Sequence, residues 1–315
     1  MKPILAEDAN LEKLVFPYMA FPKIDGVRGT NPFGDLTARS GKPFKNVFNT
    51  EFFSRSDFVG FDGEMVVDRI TGDGIANETT SALNTIKGTV PTRWCLFDYV
   101  IDGVNNEDPF QDRYDTLIQR VTGLFEQSPE LNQRLWVIPC QWVNSLEEFE
   151  AYEELKVAQG FEGVILRDPQ AGYKYGRTTV KENSFLRVKR FLDAEIVVNE
   201  VVEGFTNLNE QKRTPHGAAE RSTNKENMVP NGMIGSLIGT AIKDVTWKGD
   251  TLIAKGDQIE IAAGKLTHNE RRDYFKNQEK ILGKIAKYQF FPVGFIDKPR
   301  FPTFQGLRDP LDMGE

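Results

Sequence analysis

Cysteine and histidine are scarce in this 315-residue chain, with two of each. Cys95 and Cys140 each lie in an apolar run with no second cysteine close by, which argues against a zinc site and for two buried, inert thiols. His216 and His268 sit in polar contexts that read as exposed. Lysine, arginine and the carboxylates must therefore carry any chemistry. Long apolar runs are missing as well: none approaches the ~18 residues that cross a bilayer. The N-terminal MKPILAEDAN turns acidic too early for a secretory signal, so a cytoplasmic protein with no membrane partner is expected.

Excess positive charge is the third lack. A net charge of −7 argues at first sight against a nucleic-acid partner, because neutralising phosphates is the usual source of affinity. The deficit is local. Residues 1–190 hold 22 Lys+Arg against 28 Asp+Glu, whereas 191–315 hold 17 against 18. Part of it is EEFEAYEE (147–154), whose spacing reads as a solvated helix face. A local basic groove remains compatible with such a balance.

What is present reads first as α+β. FVGFDGEMVVDR (58–69), RWCLFDYVI (93–101), LWVIPCQWV (135–143) and FEGVILRD (161–168) are short apolar runs bounded by Gly, Pro or Asp, and predict strands. Residues 112–126 and 145–159 carry apolar side chains at helical spacing, and Ser145 with Glu148 fits a capping box. From about residue 191 the texture changes to strands with glycine-rich turns and one helix, which begins near Thr267 with Glu270 three residues on. That pattern suits a small closed β-barrel of the oligonucleotide-binding type, giving two domains, 1–190 and 191–315. Between two barrel strands, 206–232 has almost nothing to bury and reads as a long, mobile polar loop. Its Lys212, Arg213, Arg221 and Lys225 are candidates to touch a nucleic-acid backbone.

The chemistry starts in FPKIDGVRG (21–29), where an Asp-Gly turn sets Lys23 and Arg28 on either side of a possible phosphate. A lysine amine beside a second cation sheds its proton more readily and becomes a nucleophile. Glu64 sits in the apolar strand FDGEMVV, where an unpaired carboxylate is costly to bury unless it faces a polar site. It could accept from a ribose or hold a metal. Glu162 repeats the design before Val164-Ile165-Leu166. Two carboxylates at strand starts with a clustered Lys and Arg read as a magnesium-nucleotide pocket. Phe97 could be core or a platform for a base. In SFLRVKR (184–190), Phe185, Arg187 and Lys189 share one side of a strand, which suits neighbouring phosphates. Arg300 and Arg308 lie in KPRFPTFQGLRD (298–309), a basic segment whose residues alone suggest no chemistry.

The order of these segments carries more than any one of them. KIDGVR (23–28), ARSG (38–41), FDGE (61–64), LFD (96–98), FEGVI (161–165), SFLRVK (184–189) and RFP (300–302) resemble the ordered motifs of covalent nucleotidyltransferases, and within them the small ATP-dependent DNA ligases of bacteriophages. The resemblance covers nearly the whole chain. It implies an adenylation (nucleotidyltransferase) domain followed by an OB-fold barrel, acting as a monomer on nicked duplex DNA with ATP and Mg2+, in a host's cytoplasm if a phage encodes it.

Residue by residue, the resemblance implies that Lys23 is the nucleophile that takes AMP from ATP. Arg28 and Arg39 would bind the ribose and the 5′-phosphate of the nick, Glu64 the ribose hydroxyls, and Phe97 would stack on adenine. Glu162, with Glu64, would hold the metal. Arg187 and Lys189 would hold the phosphates, and Arg300 and Arg308 would ride on a barrel that closes over ATP. Two positions depart from the family: Phe21 stands where an acidic residue often reads the adenine, and Arg187 where lysine is common. Only about 20 residues precede the first motif, so the two domains are expected to grip DNA alone. An mRNA capping guanylyltransferase shares the lysine motif and the barrel, an RNA ligase usually lacks the barrel, and a non-catalytic barrel protein predicts no covalent adduct.

Overall fold

The computed structural model describes residues 2–72, 74–188, 190–217, 219–247, 249–292 and 298–308. The chain divides into two compact units. One comprises Met1–Lys189 with Arg213–Ala218, the other Arg190–Lys212 with Ala219–Glu315.

The first unit holds two five-stranded sheets. One runs Glu7–Asp8, Phe185–Val188, Gly163–Arg167, Tyr18–Lys23, Gln141–Val143 in spatial order. The other runs Thr37–Ala38, Val27–Thr30, Phe61–Val66, Arg93–Tyr99, Leu135–Val137. Tyr18–Lys23 is central to the first sheet, and its sequence YMAFPK is apolar without alternation because both faces are covered. Tyr18 and Ala20 pack with Phe149 and Tyr152 of the helix Leu146–Ala158, while Met19 and Phe21 join the core under the second sheet and the helix Phe110–Gln127.

LWVIPCQWV, read as one strand, is two. Leu135–Val137 pairs in parallel with Trp94–Leu96 in one sheet, and Gln141–Val143 pairs with Tyr18–Ala20 in the other. Pro139, which has no N–H to donate to a ladder, falls at the crossing. Two helices escaped the sequence reading, Val47–Phe53 and Ile75–Asn84. The first starts at Asn46, whose side chain accepts from Asn49 N at 2.8 Å. At the Leu146–Ala158 helix, Ser145 caps as expected, but the Glu148 carboxylate takes the N–H of Asn144 instead of that of Ser145.

In the second unit five strands close a barrel in the order Leu192–Asn207, Met228–Ala241, Gln258–Ala262, Arg300–Arg308, Ile285–Phe291. Alternate side chains fill it, among them Ile196, Val198, Leu237, Ile261, Tyr288 and Phe304. The helix His268–Lys276 opens on a complete capping box between Thr267 and Glu270.

The polar stretch 206–232 is a β-arm, not the loop that its composition suggested. Leu192–Asn207 and Met228–Ala241 keep pairing to its base, and Gln211–Arg213 pairs with Ala219–Arg221 beyond. Asn209 supplies the order that apolar residues do not. Its buried amide donates to Asn207 Oδ1 at 2.9 Å, to the Ser222 carbonyl at 3.0 Å and to the Asn224 carbonyl at 2.8 Å, and its oxygen accepts from Asn227.

Among the described residues no helix is long and apolar enough to cross a membrane. Cys95 is buried and burial pushes its thiol up to about 12, whereas Cys140 and His216 are half-buried.

Candidate active site

Lys23 is the last residue of its strand and pairs in register with Gly163. Its side chain donates to Glu162 Oε2, and the Glu162 amide donates back to the Lys23 carbonyl at 3.0 Å. The chain then turns at Asp25-Gly26 into Val27–Thr30, which belongs to the other sheet. Gly26 is required there, since a Cβ would strike the Met65 carbonyl and the Glu64 side chain. The close approach sets Arg28 directly opposite Glu64.

Lys23, Arg28, Arg39, Glu64, Phe97 and Arg187 line one cavity of about 510 Å³. Its lining mixes cationic and polar side chains, among them Lys23, Arg39, Ser40 and Arg187, with apolar ones, among them Phe21, Phe110, Ile138 and Phe185. Exposed Arg39 lies just beyond the short strand Thr37–Ala38. Arg187 faces the cavity from the strand next to Gly163–Arg167, and Asp8 grips it from the far side at 2.6 and 3.1 Å. The hydrogen bond from Asp8 keeps Arg187 above its ordinary pKa.

Arg28 does not point freely at a phosphate. It makes a two-pronged pair with Asp62, at 2.5 and 2.6 Å, and its guanidinium carbon lies 4.5 Å from the centre of the Phe97 ring. Burial works to pull its pKa down, but Asp62 outweighs burial and holds it above its ordinary value. One terminal nitrogen, Nη1, is left for a ligand, and one face of Phe97 is taken.

Glu64 is raised from 4.5 to about 7, because burial outweighs the pull of Lys23 and Arg28, and Glu162 adds repulsion. Glu162 and Glu64 both flank Lys23, but no group of three or more His, Cys, Asp or Glu side chains suited to a metal occurs among the described residues. Any Mg2+ there must share its remaining positions with phosphate oxygens and water, as this ion commonly does.

Under the cavity lies a buried network that the sequence reading did not assign. Asp98 accepts from Arg113 Nε at 3.0 Å and Nη2 at 3.2 Å, and from Arg167 Nη2 at 3.0 Å. Burial raises the Asp98 carboxyl, but the two guanidinium groups hold it below the usual carboxylate range. Tyr173 donates to Asp62 at 3.2 Å and accepts from the Ile4 amide at 3.0 Å. Asp62 and Asp98 face each other across neighbouring strands. Their signal was available, since each is a carboxylate within an apolar strand, the same feature that singled out Glu64.

The remaining candidates are elsewhere. Arg300 and Arg308 are in the barrel, Arg300 with its guanidinium 5.7 Å from the Phe291 ring and Arg308 paired to the buried Glu195 at 2.8 Å. Lys189 lies outside the described residues.

No family model matches the sequence, and no curated protein does. Solved structures do. The chain is similar to the Chlorella virus DNA ligase-adenylate in two crystal structures. One is 26% identical with a TM-score of 0.51, over 98% of this chain and 99% of that one. The second is 28% identical with a TM-score of 0.52, over 98% of each. A structure from a study of Lig E DNA ligases and their DNA binding with a minimal scaffold shares the fold at 22% identity, with a TM-score of 0.66 over 98% and 99% of the two chains.

Proposed function

We infer that this chain is an ATP-dependent DNA ligase that seals nicks in duplex DNA through a lysyl-AMP intermediate and a DNA-adenylate. What carries the reading is the setting of Lys23: a half-buried amine fixed at a strand end, in a cavity lined by both cationic and aromatic side chains. Cationic and aromatic side chains suit the phosphates and the base of a nucleotide, and about 510 Å³ accommodates one.

In the first step Lys23 Nζ attacks the α-phosphorus of ATP. The N–P bond forms, the bond to the β-phosphate oxygen breaks, and pyrophosphate leaves. In the second, an oxygen of the nick's 5′-phosphate displaces Lys23 from the AMP phosphorus. In the third, the 3′-hydroxyl attacks the 5′-phosphorus and AMP departs. Each is an in-line displacement, so the residues act by positioning and by neutralising charge.

Lys23 cannot attack while its ammonium is held by Glu162, so the pair must open as the amine loses its proton. Arg187 and Lys189 hold the phosphates. Arg39 takes the 5′-phosphate of the nick, Arg28 offers Nη1 to the ribose and phosphate side, and Glu64 accepts from the ribose hydroxyls. Adenine stacks on the face of Phe97 that Arg28 leaves open. Glu162 and Glu64 would hold Mg2+, which supplies charge neutralisation at the phosphates. The barrel is of the OB type and brings Arg300 and Arg308 to the triphosphate in the first step. The adenylation domain spans 1–190 and the OB-fold domain 191–315, and the protein acts as a monomer.

The test is a duplex with a single nick carrying a 5′-phosphate, incubated with ATP and Mg2+. A sealed strand is expected, together with released AMP. An adduct on the protein with no sealing of any nick would reject the ligase while keeping the nucleotidyltransferase.

A further inference from the structure

We propose that the first unit carries a second anion site, separate from the nucleotide cavity, in which Arg55, Arg93 and Arg134 bind a phosphate group. The site is a cavity of about 490 Å³ that shares no lining residue with the one around Lys23. It stands independently of the ligase reading.

Arg134 is built into place. Its Nε donates to the Thr92 carbonyl at 2.7 Å and its Nη2 to Asn49 Oδ1 at 2.8 Å. Asn49 is fully buried, and the same oxygen accepts from the Thr92 amide and hydroxyl, at 3.0 Å each. The guanidinium carbon lies 4.1 Å from the ring centre of Phe52, 4.9 Å from that of Phe53 and 5.3 Å from that of Phe48. These contacts fix the group without neutralising it. Burial alone acts on its pKa and pulls it down to about 10, whereas the guanidinium of Arg28 is held up by Asp62. A half-buried cation with no carboxylate beside it is costly, and an anion in the cavity relieves that cost. Nη1 has no hydrogen-bond partner among the described residues and is open to such a ligand.

Two more arginines reach the same cavity from other segments. Arg93, at the start of its strand, engages only its Nε, on the Gln133 carbonyl at 3.3 Å, among the described residues. Arg55 donates to Asp57 at 2.8 Å, and both side chains are exposed, so that pair contributes little and can turn. Asp68 and Glu130 share the wall. Both are exposed, and neither pairs with these arginines among the described residues, so water screens them more than it screens Arg134. Three guanidinium groups present more N–H donors than the two oxygens of a carboxylate can accept, and a phosphate suits them better. The phosphate is either free, as in pyrophosphate, or part of a DNA backbone.

The experiment follows the arginine Nε–Hε signals of the 15N-labelled protein by NMR. Those of Arg134 and Arg93 are identified by their loss in Arg134→Lys, which keeps a cation on the rings, and in Arg93→Gln, which gives up only the Gln133 carbonyl. Pyrophosphate and an un-nicked duplex are titrated separately. A saturable shift of both signals with pyrophosphate assigns the site to free phosphates, and one with the duplex alone assigns it to the DNA backbone. In Arg93→Gln the midpoint read at the Arg134 signal should rise by about 10-fold or more, the value of a hydrogen bond from a charged donor. Signals that neither probe moves overturn the proposal. A shift whose midpoint is the same in Arg93→Gln also overturns it, because the anion then binds elsewhere.

Discussion

Lys23 and Glu162 hold each other twice, through the Lys23 ammonium on the Glu162 carboxylate and through the Glu162 amide on the Lys23 carbonyl at 3.0 Å. The backbone bond fixes where the lysine emerges, and the side-chain bond fixes where its nitrogen rests. Glu162→Ala keeps the first and removes the second. Single-turnover formation of the AMP adduct should slow by about 100-fold or more, the usual scale for losing a group that handles a proton or a developing charge. A rate equal to wild type would make the pair incidental.

Asp98 joins two buried arginines to one carboxylate, so removing it should be felt as stability before it is felt as activity. Asp98→Ala leaves Arg113 and Arg167 buried without their counter-ion. A loss of about 3–5 kcal/mol is expected in denaturant unfolding, as for other broken buried pairs. A loss under about 1 kcal/mol would mean that water reaches the network.

Glu64 gives a pH signature of definite sign. Its carboxyl rises from 4.5 to about 7 on folding, so the folded protein holds the proton more tightly than the unfolded chain. The contribution to stability is full below 4.5 and is lost as pH climbs towards 7. Thermal unfolding of the nucleotide-free protein should therefore show Glu64→Gln gaining on wild type between pH 5 and pH 8, by up to about 3 kcal/mol. A pH-independent difference between the two proteins would contradict the burial assigned to this group.

The β-arm presents Lys212, Arg213, Arg221 and Lys225, all exposed. If these four meet DNA phosphates, replacing them with neutral residues weakens nick binding. It also flattens the dependence of log K on log salt, by up to about 3–4 in slope. An unchanged slope in a filter-binding or fluorescence titration would leave the arm without a role in DNA binding.

How much of this was legible depended on where the physical cause lay. Phe61–Val66, Arg93–Tyr99 and Gly163–Arg167 fall inside runs read as strands, because each is short, apolar and bounded by turn residues. Tyr18–Lys23 was not read as one, since Pro17 precedes it and Pro22 lies within it, and proline argues against a central strand. The helix Val47–Phe53 is seven residues long, about two turns, and too short for its period to show. In the arm, order comes from the amide of Asn209, a single side chain whose partners are scattered from Asn207 to Asn227. The ordered motifs made the ligase reading possible from sequence. Around them, the cavity brings together Lys23, Arg28, Arg39, Glu64, Phe97 and Arg187 from five separate segments. The Asp98 network was invisible in any one segment, because Arg113 and Arg167 are 15 and 69 residues away. Only folding makes them neighbours.

The most direct test of the central claim is covalent labelling. Wild-type protein incubated with ATP labelled at the α-phosphate and Mg2+ should acquire one acid-labile AMP, mapped by peptide mass to Lys23, and GTP should not substitute. Lys23→Ala should acquire none and should fail on ordinary nicks. An adduct in the Lys23→Ala protein, or labelling by GTP alone, would contradict the account.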